Sequence, residues 1–163
     1  MHKTFCVSLI FTLLTGCVSI YEGRGPNFSH KGTPEATAEY DRFKLEEPDA
    51  FRDRLRVAKM NGTNYELRSL PFVADVSPVA ATEMDRAKMH NYVAFGLIGA
   101  ALLVAITQPS PLTDGGAVLF YGSLATSIGF SIYSMHVQSN AIDQYNNDLH
   151  EKLAPSVRVG FKY

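Results

Sequence analysis

Two long stretches without a formal charge, Tyr92–Thr107 and Ala117–Tyr133, most constrain what this chain can fold into. The second continues uncharged to Met135. Between them, Pro109-Ser110-Pro111-Leu112-Thr113-Asp114-Gly115-Gly116 gathers residues that stop helices and make turns. As helices rising about 1.5 Å per residue, Tyr92–Thr107 would span about 24 Å and Ala117–Val137 about 31 Å. A bilayer's hydrocarbon core is about 30 Å thick, and the bacterial outer membrane is thinner than average. The first segment is marginal as a span and the second is adequate. The rest of the chain has too few apolar residues to cover both in water, so the sequence predicts that they enter a membrane. The competing reading is a helical hairpin buried in a soluble domain.

Helix boundaries can be placed around these segments. Ser77-Pro78 offers a hydroxyl N-cap followed by proline at the first helical position, with Glu83 in the next turn. No breaker follows until Pro109, which predicts a helix over about 78–108. A second helix runs from about Gly116 to Leu153 and is ended by Pro155. Val137, Ala141, Tyr145, Leu149 and Leu153 recur every four residues, with Ile142 beside them, and this stripe is expected to pack on Ala80, Met84 and Ala87. The small pairs Gly96/Ala100, Ala101/Ala105, Gly122/Thr126 and Ala125/Gly129 have the spacing that lets helix backbones approach closely in lipid. They are the candidate helix-packing residues, within the hairpin or between copies. Ser123, Ser127, Ser131 and Ser134 form one stripe, and Tyr121, Leu124, Ile128 and Ile132 a separate apolar arc. The expected fold is mainly α: a long antiparallel helical hairpin over 77–155, a small mixed region before it and a short strand after it.

The N-terminus has a basic start at His2 and Lys3, an apolar run from Phe5 to Leu14, and small residues before a cysteine. Leu14-Thr15-Gly16-Cys17 resembles the lipobox of bacterial lipoproteins. That resemblance implies acylation of Cys17, removal of residues 1–16 and attachment through two or three acyl chains, each buried methylene adding about 0.8 kcal/mol. The competing reading is an ordinary signal peptide with a coincidental cysteine. Cys6 would leave with the signal, so one acylated cysteine remains, and no disulfide or Cys-ligated metal is expected within one chain. In lipoproteins like those of enteric bacteria, Asp after the cysteine often marks inner-membrane retention; Val18 here favours the outer membrane.

Residues 17–48 are polar and broken by Gly23, Gly25, Pro26, Gly32 and Pro34, and are expected to form a flexible tether. Residues 49–76 allow two readings. Asp49 could cap a short helix carrying Phe51, Leu55 and Ala58, or Asn61-Gly62 could join Leu55–Met60 and Thr63–Arg68 as a hairpin. The helix followed by a turn is preferred, with Leu70–Val76 extended. After Pro155, alternation of Val157, Val159, Phe161 and Tyr163 predicts one strand over 156–163.

Loss of Lys3 leaves 14 Lys and Arg against 16 Asp and Glu, without the basic stripe that nucleic acid requires. His90 and His136 fall at the same end of the hairpin, but no HExxH or tight metal spacing exists, so interfacial polar residues are the simpler reading and no cofactor is expected. No G-x-S-x-G elbow supports a hydrolase. The loop 109–116 contains no Lys or Arg, while Arg86, Lys88, Lys152 and Arg158 lie on the other side of the apolar segments, which does not suit a cytoplasmic loop. The sequence thus suggests a non-catalytic, periplasm-facing outer-membrane lipoprotein. Its expected partners are lipid and either other copies of itself or an envelope complex; a small periplasmic ligand-binding lipoprotein is the alternative.

Overall fold

A computed structural model describes residues 19–48, 57–107 and 113–154. Cys17, the helix proposed from Asp49 and the strand over 156–163 lie outside these residues. In chain order the elements are a 3₁₀ turn Phe28–His30, α1 Glu35–Phe43, β1 Leu45–Glu46, β2 Val57–Met60, β3 Thr63–Glu66, a 3₁₀ turn Leu67–Ser69, α2 Phe72–Val76, α3 Pro78–Thr107 and α4 Asp114–Leu153. The described elements before α3 pack around one end of the α3–α4 hairpin as a head, and the hairpin continues beyond it as an arm.

The long helices begin as their sequences dictate. Ser77 Oγ accepts from Ala80 N at 3.1 Å, with Pro78 at the first helical position. Thr113 Oγ1 accepts from Gly116 N at 3.2 Å, so α4 starts two residues before the expected Gly116. The stripe on the far end of α4 behaves as expected. Ala141, Ile142, Tyr145, Leu149 and Leu153 share one core with Ala80 and Met84, and Val137 and Ala87 are buried beside it. The hairpin fold is confirmed.

Residues 19–48 are not a tether in this structure. α1 buries Ala36 and Phe43, and Leu45 is buried on β1. Phe72 is the hub: its ring meets Tyr21 edge-on at 5.3 Å and Phe43 at 5.4 Å, and Tyr145 tilts against it at 6.4 Å. Gly25 is required at this contact, because a Cβ there would stand 2.6 Å from the Phe72 Cβ. Prolines and glycines here mark turns between packed elements rather than open chain, because aromatic residues between them supply apolar area to bury.

The hairpin reading of Asn61-Gly62 is the correct one. β2 and β3 pair antiparallel, Met60 opposite Thr63 and Val57 opposite Glu66, and β1 joins the other edge of β2 with Leu45 opposite Met60. Asn61 and Gly62 have φ of 48° and 77°, the two positive values that a two-residue turn between twisted strands demands. Ala58, assigned to a helix from sequence, is buried in β2. Within Leu70–Val76, expected extended, residues Phe72–Val76 form α2 with Phe72, Val73 and Val76 buried, and Pro71 stands at its N-cap.

Two polar side chains of α4 tie it to the sheet, and a third ties it to the end of α1. Asn146 receives Leu45 N at 2.8 Å and donates to Leu45 O at 2.7 Å, acting as the next strand would. Gln138 Nε2 donates to Val57 O at 3.1 Å, and Tyr145 Oη to Phe43 O at 3.2 Å. Burial pushes the Tyr145 phenol above its ordinary range. Its folded-state pKa is thus raised, and the stability it contributes is present below the unfolded value near 10. That contribution declines as alkali ionises the unfolded chain and is lost toward the folded value. Tyr145→Phe should therefore cost about 1 kcal/mol at neutral pH and flatten the loss of stability above pH ~10, as urea titrations at the two pH values would measure.

Candidate membrane interface

Beyond the head, α3 and α4 continue side by side and touch along a narrow seam. Ala87, Asn91, Ala94 and Ala101 are buried on α3, and Gly116, Ser127, Ser134 and Gln138 on α4. Along α3, Ala80, Met84, Ala87, Asn91 and Ala94 alternate steps of four and three, the spacing that keeps a seam facing its partner helix. The side chains are small, so the backbones come close: Ser134 Oγ donates to Ala87 O at 2.6 Å. Ser134→Ala should lower stability by about 1 kcal/mol, since the helical carbonyl it serves keeps its own ladder bond; thermal unfolding in detergent measures this.

Of the candidate packing residues, only Ala101 lies in this seam. Gly96, Ala100, Ala105, Gly122, Ala125, Thr126 and Gly129 are exposed, and a Cβ added at Gly96, Gly122 or Gly129 would meet nothing within 4 Å. Strict four-residue spacing drifts around a helix relative to a seam that advances by 3.5 on average, so these pairs form faces turned away from the partner helix. Packing inside the hairpin falls to Ala87, Ala94 and the serine stripe, of which Ser127 and Ser134 are fully enclosed.

The outer surface of the arm is apolar. Leu103 is 64% exposed, Ile106 73%, Val118 73%, Leu119 60%, Ile128 61% and Ile132 58%. In the most apolar window of α3 only 17% of residues are buried, and in that of α4 only 11%, so the described residues leave both windows largely uncovered. Both helices are long and apolar enough to cross a membrane. Between Lys88 and Asp143 the only formally charged side chain is Asp114, at the tip. The uncharged surface from Asp114 to Tyr133 is about 28 Å long, which suits a hydrocarbon layer of about 25–30 Å. Aromatic residues mark the head end, and a second pair stands about 10 Å in from Asp114. Tyr92, Phe95 and Tyr133 are exposed near the head; toward the tip Phe120 and Tyr121 meet edge-on at 5.1 Å, and Tyr121 is exposed.

Polar groups collect where arm meets head. His90 stacks on Phe130 at 5.9 Å and meets Tyr133 edge-on at 5.0 Å, whereas exposed His136 pairs with Asn140 at 3.3 Å. The two histidines share one end of the hairpin but have separate partners. Among the described residues no three His, Cys, Asp or Glu side chains gather as a metal site would need. His90 Nδ1, Asn91 Oδ1 and Gln138 Oε1 are buried without hydrogen-bond partners among the described residues. Each such group costs about 1–3 kcal/mol if left unsatisfied.

Beside Asn91 a groove of about 480 Å³ opens between the head and α3. Leu67, Leu70, Val73, Met84 and Phe95 supply apolar walls, and Glu66 on β3, Asp85 and Lys88 supply charges of both signs. Sequence reasoning missed it, since it joins residues on β3, α2 and α3 that are brought together only by the fold of the head. Comparison with protein-family models, curated proteins and solved structures finds no match to this chain.

Proposed function

We propose that the protein is a non-catalytic lipoprotein of the bacterial cell envelope, held in the outer membrane and facing the periplasm. On this reading it serves as a structural or assembly component. The observation that carries the reading is the arm: two helices with small residues inward, large apolar residues outward and no cover from the other described residues. Exposing this much contiguous apolar surface to water is untenable for a monomer, and lipid is the solvent that suits it.

The N-terminal contacts support the same orientation. Ser19 N donates to Asn64 O at 3.0 Å and Ser19 O accepts from Glu66 N at 3.2 Å, which adds the chain to the free edge of β3. Cys17 is two residues earlier, so its acyl chains would start within about 7 Å of the head. Head, lipid and arm would then be held at one membrane surface without a long spacer. The exposed faces with Gly96 and Ala100 on α3, and Gly122, Ala125, Thr126 and Gly129 on α4, are where a second copy or an envelope partner could approach closely.

Carbonate extraction and detergent phase partitioning of a Cys17→Ala variant test the membrane reading. Retention in the pellet and the detergent phase is expected, because the arm alone should hold the protein. Release as a soluble protein would favour a small periplasmic ligand-binding lipoprotein instead. Cross-linking in native membranes addresses assembly: adducts with itself or one partner are expected, and monomer alone contradicts it.

A further inference from the structure

We propose that the groove at the root of the arm binds one phospholipid through a primary-amine headgroup, the chemistry of phosphatidylethanolamine. This rests on the membrane reading, because the groove is reached from the bilayer. Its lining follows α3 from Ala81 through Met84, Lys88 and Asn91 to Phe95, about 21 Å of helix rise, comparable with one extended acyl chain. Phe95 and Tyr92 at one end belong to the aromatic belt, so the groove is continuous with the surface that faces lipid. Leu67, Leu70 and Val73 extend the apolar wall into the head.

The polar groups specify the headgroup. Asn91 is 7% exposed, lines the groove and has an Oδ1 with no donor among the described residues. Glu66, Asp85 and Lys88 line the same groove, two carboxylates and one ammonium, and neither Asp85 nor Lys88 forms an ion pair among the described residues. An ammonium carries several N–H donors and can serve both the Asp85 carboxylate and the Asn91 amide oxygen, while Lys88 meets the adjacent phosphodiester. Quaternary ammonium has no N–H to give, and a purely anionic headgroup would face Asp85. A free peptide in the groove would not need its continuity with the aromatic belt.

The chain has no tryptophan, so Ala74→Trp, on the head side of the groove, places a single reporter in the full-length protein. Ala81, at the same end of the lining, stands about 16 Å along α3 from Tyr92 and the bilayer boundary. The variant is reconstituted in vesicles containing phospholipid with brominated chains, and flotation is scored in the same samples. The expected result is quenching at least twofold stronger with brominated phosphatidylethanolamine than with brominated phosphatidylcholine or phosphatidylglycerol. That difference should be lost in Lys88→Glu and reduced in Asn91→Leu, with the head still folded by circular dichroism. Equal quenching by all three lipids overturns headgroup recognition. No quenching in floated protein overturns the site; if Cys17→Ala then restores it, the protein's own acyl chain is the occupant. Failure to float refutes the membrane reading itself and is seen independently of fluorescence.

Discussion

Phe43→Ala is expected to destabilise the head by about 3–5 kcal/mol, the cost of removing an enclosed aromatic ring that neighbours cannot fully collapse around. Phe43 is 2% exposed, its ring meets Phe72 at 5.4 Å, and its carbonyl accepts the Tyr145 hydroxyl. Single domains are stable by only about 5–15 kcal/mol, so the change removes a large share of the margin. The effect is read by urea unfolding followed through far-UV circular dichroism. Because Phe43 falls inside residues 17–48, the outcome separates two pictures of the N-terminal third. In a solvated tether the substitution would alter stability by less than about 0.5 kcal/mol. In the packed head it should bring the midpoint down sharply.

Ile128→Asp has the opposite logic. Ile128 is 61% exposed on the outer face of α4, so in water the change would be neutral or would improve solubility. In hydrocarbon an aspartate near the middle of a helix costs about 2.5–3.5 kcal/mol. A companion Leu103→Asp on α3, where the native residue is 64% exposed, should add a similar amount. The double variant, in a Cys17→Ala background so that acyl chains do not hold it, should shift the protein from the membrane pellet to the supernatant or to aggregate. A soluble-domain account expects no shift, because the parent would already be in the supernatant.

How much of this was legible beforehand depended on whether signals were local. Ser77-Pro78, the breakers after Gln108 and the four-residue stripe from Val137 to Leu153 act within one helix, and they placed α3, α4 and the head's docking face. Asn61-Gly62 was equally local, and its turn chemistry outranked the weaker helical spacing of Leu55 and Ala58. The N-terminal region was misjudged because breakers are conspicuous in sequence, whereas Tyr21, Phe28, Phe43 and Leu45 gain their partners from elements distant in the chain, the sheet, α2 and α4. Aromatic residues spaced through a glycine- and proline-rich stretch were the available warning. The small-residue pairs identified a helix that packs closely but not the face on which it does so, because four-residue spacing alone cannot set rotation about the axis. Asn146 and Gln138, which tie the sheet to α4, resemble any polar residue on a helix until the sheet lies against them.

The central claim is that the arm's outer face meets lipid. Single cysteines placed at Leu103, Leu119, Ile128 and Ile132, with one at exposed Asn140 beside the head, test it most directly by their reaction with a membrane-impermeant maleimide in intact vesicles. The four arm positions should stay unlabelled until detergent is added, while the Asn140 position reacts at once. Rapid labelling at all five before detergent would put the arm in water and contradict the account.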